Sequence, residues 1–123
     1  MKRVLKVLSV SILIFLFSCT KDYYTPPGNM PENVSFSSSV IPIFNNNCVS
    51  CHNSGSTEPD LTPDNAYADL TANNAYVVPG KPEDSKLYHR ITGQGSLMPP
   101  GGSLPQNDIN IIYVWIKEGA LNN

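Results

Sequence analysis

Cys48-Val49-Ser50-Cys51-His52 is the stretch on which the reading of this chain turns. It is a C-x-x-C-H pattern, the attachment site of a c-type haem. Two thiols add across the two vinyl groups of the porphyrin and become thioethers. The imidazole beside the second thiol then reaches the iron from one face. On a helix, positions i, i+3 and i+4 share a side, so Cys48, Cys51 and His52 address a single ring. Three plainer readings compete. A thioredoxin-like redox pair needs a βαβ context, and the flanks offer none. Half of a zinc site needs a second Cys or His pair, and none follows at a suitable distance. A surface disulfide is the third, and it leaves His52 without a role.

Upstream, Lys2, Arg3 and Lys6 precede an apolar run from Val7 to Phe17. A charged start followed by a short apolar core is the pattern of an export signal, too short to span a bilayer comfortably. It closes on Leu16-Phe17-Ser18-Cys19, which resembles the lipobox of bacterial lipoproteins. That resemblance implies removal of residues 1–18 and a lipid on Cys19, in place of an ordinary secretory signal with an incidental Cys. Three cysteines are then fully assigned, one to lipid and two to haem, and no disulfide is expected. Multiple acyl chains on Cys19 make a stable membrane anchor where one would not.

Processing also changes the charge. The full chain has 8 basic and 10 acidic residues, and loss of Lys2, Arg3 and Lys6 leaves 5 against 10, a net of −5. An acidic body argues against nucleic acid as a partner and against electrostatic adhesion to anionic lipid. Residues 19–34, with Pro26, Pro27, Gly28 and Pro31, read as a flexible tether. Residues 35–123 read as one domain, near the lower size limit for a self-sufficient core, so a buried haem would supply much of the missing apolar surface.

Within that domain the pattern is all-α, and no alternating stretch supports a strand. A first helix carries Val40, Ile41, Ile43 and Phe44 into the motif, with one of Ser37, Ser38 or Ser39 as cap and Pro42 in the first turn. Thr62-Pro63-Asp64 starts a second helix through Ala66, Tyr67 and Leu70. Lys81-Pro82-Glu83-Asp84 starts a third, carrying Leu87, Tyr88 and Ile91 and stopped by Gly93. The last carries Ile109, Ile112, Tyr113 and Ile116 and ends at Gly119. Trp115 lies off that stripe, placed to lean over the haem or the first helix.

The second axial position has three candidates: Met98, His89 and Met30. Met98 precedes Pro99 in a Pro/Gly-rich loop, and a residue before Pro is pushed into extended geometry, which suits a loop crossing a haem face. His89 is the rival; on a helix beside Tyr88 it reads more naturally as a surface or propionate-contacting residue, as does Arg90. Met30 sits in the tether. Met/His ligation raises a haem potential, whereas bis-His ligation implies a lower one. His52 needs a backbone carbonyl for its other ring nitrogen, and Pro59 or Pro63 could supply it.

The ordered set of features resembles the class I monohaem cytochromes c. The residues that carry the likeness are Pro42-Ile43-Phe44, Cys48 to His52, Val78-Pro79-Gly80-Lys81-Pro82, Ser85-Lys86-Leu87-Tyr88, Arg90-Ile91, Met98-Pro99, and Asp108-Ile109 through Trp115-Ile116 to Gly119-Ala120. The resemblance implies a small cytochrome c fold: short helices around one covalent haem c, bound through Cys48 and Cys51, with His52 and Met98 as axial ligands. Pro105 stands where the family often has a Ser cap, so the last helix is expected to start later or to be capped by Ser103. The family attaches its haem outside the cytoplasm. The implied function is a lipid-anchored electron carrier on the periplasmic side of a membrane or the cell surface. It would serve redox partner proteins, with no small-molecule substrate. A haem enzyme or sensor of peroxidase type, with a labile sixth ligand, is the alternative; a non-haem lipoprotein with a disulfide is the third.

Overall fold

A computed structural model describes residues 29–74 and 76–123. The export signal, Cys19 and most of the tether lie outside the described residues. Every regular element among the described residues is helical, as an all-α cytochrome c fold requires. No helix among them is long and apolar enough to cross a membrane.

The chain first enters a wide π-helical turn, Phe36–Val40, that runs directly into α1, Ile41–Asn47. Ser35 caps this run: its extended backbone turns its hydroxyl to accept the Ser38 N–H at 3.3 Å. The expected caps Ser37, Ser38 and Ser39 instead lie inside the helical run. Pro42 falls in the first turn of α1, as expected, directly after the π turn. A proline inside an α-helix clashes with the carbonyl four residues back. The wider π turn just before Pro42 relieves that clash, which accounts for the irregularity.

The segment Thr62–Asn65 is a turn, with the Asn65 and Ala66 N–H groups both donating to the Thr62 carbonyl, and α2 follows over Ala66–Thr71. The Thr62 hydroxyl does not cap α2. It donates to Asp60 at 2.6 Å. A 3₁₀ turn, Ala72–Asn74, closes this segment.

The expected third helix is split. Pro82–Asp84 is a 3₁₀ turn, and α3 spans Lys86–Ile91. Ser85, fully buried, stands between them; its hydroxyl donates to the Lys81 carbonyl at 2.8 Å and accepts the Val78 N–H at 2.9 Å. That bonding pulls Ser85 into extended geometry and interrupts the helix.

The last helix, α4, spans Gln106–Lys117 and begins immediately after Pro105. Neither a later start nor a Ser103 cap occurs. The Pro105 carbonyl itself accepts the Asp108 and Ile109 N–H groups, and Asp108 complements the positive end of the helix. Gly119, at φ +105°, ends α4 in a conformation costly for other residues.

A helix of this length is marginal alone, so packing must hold it. Ile109, Ile112, Tyr113 and Ile116 are buried as the stripe requires, and Val114 and Trp115 are buried too. Both sides of α4 are covered: it packs on the π turn and on α3. Phe36 is the hub. Its ring lies 4.9 Å from that of Trp115, 5.4 Å from Tyr67 and 6.4 Å from Phe44. Trp115 thus faces the first helix and does not line the cavity described next. Its indole N–H donates to the Leu121 carbonyl at 3.0 Å. Val34 is buried in this core and Met30 packs against it.

Candidate haem site

The Cys48–His52 stretch leaves α1 as a set of tight turns. The Cys48 N–H still bonds the Phe44 carbonyl at 2.8 Å, and the Cys48 carbonyl accepts the N–H groups of Cys51 (3.1 Å) and His52 (2.9 Å). Those bonds keep the three side chains on one side without a continuous helix. Cys48 and Cys51 are free thiols. Burial pushes the Cys48 thiol up to about 11, so the free thiol is protonated at neutral pH.

The following loop folds back on the motif. Thr57 N–H bonds the Cys51 carbonyl and Leu61 N–H bonds the His52 carbonyl at 3.0 Å. This closure places the Pro59 carbonyl 3.2 Å from His52 Nδ1. A carbonyl only accepts, so Nδ1 carries the proton and Nε2 keeps its lone pair for a metal. Of the two carbonyls weighed from the sequence, Pro59 is the one used.

Asp60 fixes the loop. Ser54 and Thr62 hydroxyls, the Thr62 N–H at 2.9 Å and the Asn65 amide at 2.9 Å all donate to its carboxylate. The Ser54 hydroxyl, then Thr62, then Asn65 hold that carboxyl well below the usual carboxylate range. The Asp60 N–H donates to Asp69 at 2.9 Å, fastening the loop to α2.

Across from the motif stands the loop after α3. The Met98 N–H donates to the Arg90 carbonyl at 2.9 Å, and Arg90 Nη1 donates to the Ser96 carbonyl at 3.3 Å. The Glu58–Pro59 and Met98–Pro99 peptide bonds are both cis.

Cys48, Cys51, His52 and Met98 all line one cavity of about 520 Å³. Leu61, Leu70, Ile91 and Leu104 give it apolar walls, and Lys86 and Arg90 bring two cations to its rim. Two thiols, an imidazole with a free Nε2, a thioether and two cations match the demands of a haem: two vinyl groups, two axial positions and two propionates. The residues fit that group. His89 does not reach the cavity; its Nε2–H donates to the Glu83 carbonyl at 2.6 Å on another side of α3. Met30 is absent from the walls as well. The zinc reading lacks a ligand set, since no three His, Cys, Asp or Glu side chains converge among the described residues.

Leu61, Leu104 and Tyr76 were not singled out from the sequence, and Leu70 and Ile91 were read only as apolar helix positions. Lys86 had a readable signal, because it stands four residues before Arg90 and so shares its helix face. The walls come from distant segments and had none.

Residues 48–102 match the family model described as Planctomycete cytochrome C. This chain therefore carries a cytochrome c domain, and that family implies covalently bound haem c. Among solved structures the chain is similar to hydrazine synthase of Kuenenia stuttgartiensis, with a TM-score of 0.53 and 23% identity. The likeness covers 71% of this chain and only 16% of that one, and it concerns the fold. No curated protein sequence matches the chain.

Proposed function

We propose that this protein is a lipid-anchored monohaem electron carrier. Cys48 and Cys51 hold the haem, and His52 and Met98 occupy the two axial positions. One observation carries the reading: four side chains from two distant segments line a single cavity, and the histidine among them already has its Nδ1 engaged. The bound group supplies a one-electron ferrous/ferric couple. The chain does the rest. Pro59 orients the imidazole, the leucine walls exclude water, and the exposed Cys51 marks the edge through which electrons pass. With both axial positions taken, no substrate reaches the iron.

Residues 1–18 serve as the export signal, and Cys19 carries the lipid that anchors the protein to a bacterial membrane, on the periplasmic side or at the cell surface. The partners are redox proteins. Labelling with a palmitate analogue tests the anchor: the label should enter the protein and vanish in Cys19→Ser, while label persisting in that variant removes the anchor.

For the haem itself, intact mass of protein made with a working maturation system should show one added haem, and the spectrum should be low-spin and indifferent to carbon monoxide. Met98→Ala should abolish the sulfur-to-iron charge-transfer band and open the site to carbon monoxide. Unmodified mass, or a band that survives, refutes the assignment. A second reading, a haem enzyme with a labile sixth ligand, draws on the likeness to part of a chain named as a synthase. A high-spin, carbon-monoxide-binding parent protein would favour it.

A further inference from the structure

We propose that Arg90 is the positioning residue that holds Met98 against the iron, its guanidinium strengthening axial ligation by bracing the loop at Ser96. The inference rests on the ligand reading above and adds a residue to it. Two bonds tie the ligand loop to Arg90: its backbone carbonyl accepts the Met98 N–H at 2.9 Å, which any residue there would do, and its Nη1 donates to the Ser96 carbonyl at 3.3 Å, which only this side chain does. The loop is shaped for that grip. Gly95, at φ +107°, gives the loop a turn other residues rarely adopt, and its Cα lies beside Arg90, where a Cβ would stand 3.4 Å from Nη1. Met98 has no such partner on the motif side, and the loop between Thr92 and Met98 has no regular secondary structure to stiffen it.

Lys86 is the natural control. It carries the same charge on the same cavity, one helical turn earlier, yet its ammonium lies over the Tyr76 ring at 5.0 Å and bonds nothing in the loop. If the cavity cations act only through charge, the two residues are equivalent. If Arg90 acts by bracing, they are not.

The experiment is a titration of the ferric haem-loaded protein with imidazole, following loss of the sulfur-to-iron band. Imidazole must displace Met98 to bind, so its apparent affinity reads how firmly the thioether is held. Arg90→Met, which keeps length and loses the donor, should raise that affinity about three- to tenfold, as expected for one partly exposed charge-assisted hydrogen bond. Arg90→Lys should stay within about twofold of the parent, and Lys86→Met, which removes a cavity cation but no bond to the loop, should raise the affinity clearly less than Arg90→Met. Should Arg90→Met fold poorly, Arg90→Gln, shorter and uncharged, should give the same rise. Equal effects of Arg90→Met and Lys86→Met, no rescue by Lys, or no rise in either uncharged Arg90 variant overturns the proposal. A parent protein without the band, or a band that survives Met98→Ala, overturns the ligand reading instead and is distinguishable at the first measurement.

Discussion

Asn123 caps the first helix of the domain from the opposite end of the chain, its side-chain oxygen accepting the Phe36 N–H at 2.8 Å. Its backbone carbonyl accepts the Ser37 N–H at 2.9 Å and the Ser35 hydroxyl at 3.0 Å. Together with the Ser35 hydroxyl, these bonds satisfy N–H groups that a helix start otherwise leaves without partners. Asn123→Ala should cost about 1 kcal/mol and lower the melting temperature by roughly 4–8 °C. The haem spectrum should not change. Melting followed by far-UV circular dichroism checks the first point, and a shift under 1 °C would show that the cap contributes nothing.

Phe36 should be the most sensitive position in the core away from the cavity. Its ring touches Trp115, Tyr67 and Phe44 and so joins the π turn to α4. Phe36→Ala should cost about 3–5 kcal/mol, a large share of the roughly 5–15 kcal/mol available to a domain. Phe36→Leu should cost less, since it keeps more of the buried volume. Urea denaturation of the two variants orders them; equal midpoints would remove Phe36 from the centre of the fold.

Acid should loosen the histidine loop through Asp60. Its carboxyl is depressed by donors from Ser54, Thr62 and Asn65. A depressed carboxylate stabilises the fold above its unfolded value, about 3.9, and that contribution fades as pH falls through the lower folded value. Stability should therefore drop below about pH 4, and Asp60→Asn should flatten that limb while lowering stability at neutral pH. An unchanged acid limb in the variant would locate the acid sensitivity elsewhere.

His89 should be silent at the haem. Its ring is bonded to the Glu83 carbonyl and does not line the cavity. His89→Ala should leave the visible spectrum unchanged and cost about 1 kcal/mol for the lost hydrogen bond. A spectral change in this variant would restore His89 as a ligand candidate against Met98.

The helices were legible in the sequence; their ends were less so. The stripe of Ile109, Ile112, Tyr113 and Ile116 identified α4 because burial on a helix recurs at helical spacing. The first helix was placed correctly and its cap was not. Several serines compete for the cap near residue 35, and local propensity does not separate them. Asn123 decides the matter, because its bonds to Phe36 and Ser37 make those residues the first turn. Ser85 splits the third helix for a similar reason: its partners Val78 and Lys81 lie across a loop. Trp115 could not be assigned between the haem and the first helix until Phe36 was seen beside it.

Local spacing alone determined that Cys48, Cys51 and His52 share one side, because they are close enough in the chain that any tight turn brings them together. Proline and glycine placement likewise marked the Met98 loop. Only the tertiary structure decided which residues stand across from that motif, which carbonyl meets the imidazole, and which cation bonds the Met98 loop. Those are contacts between segments far apart in sequence, and their geometry comes from packing, which no periodicity along the chain encodes.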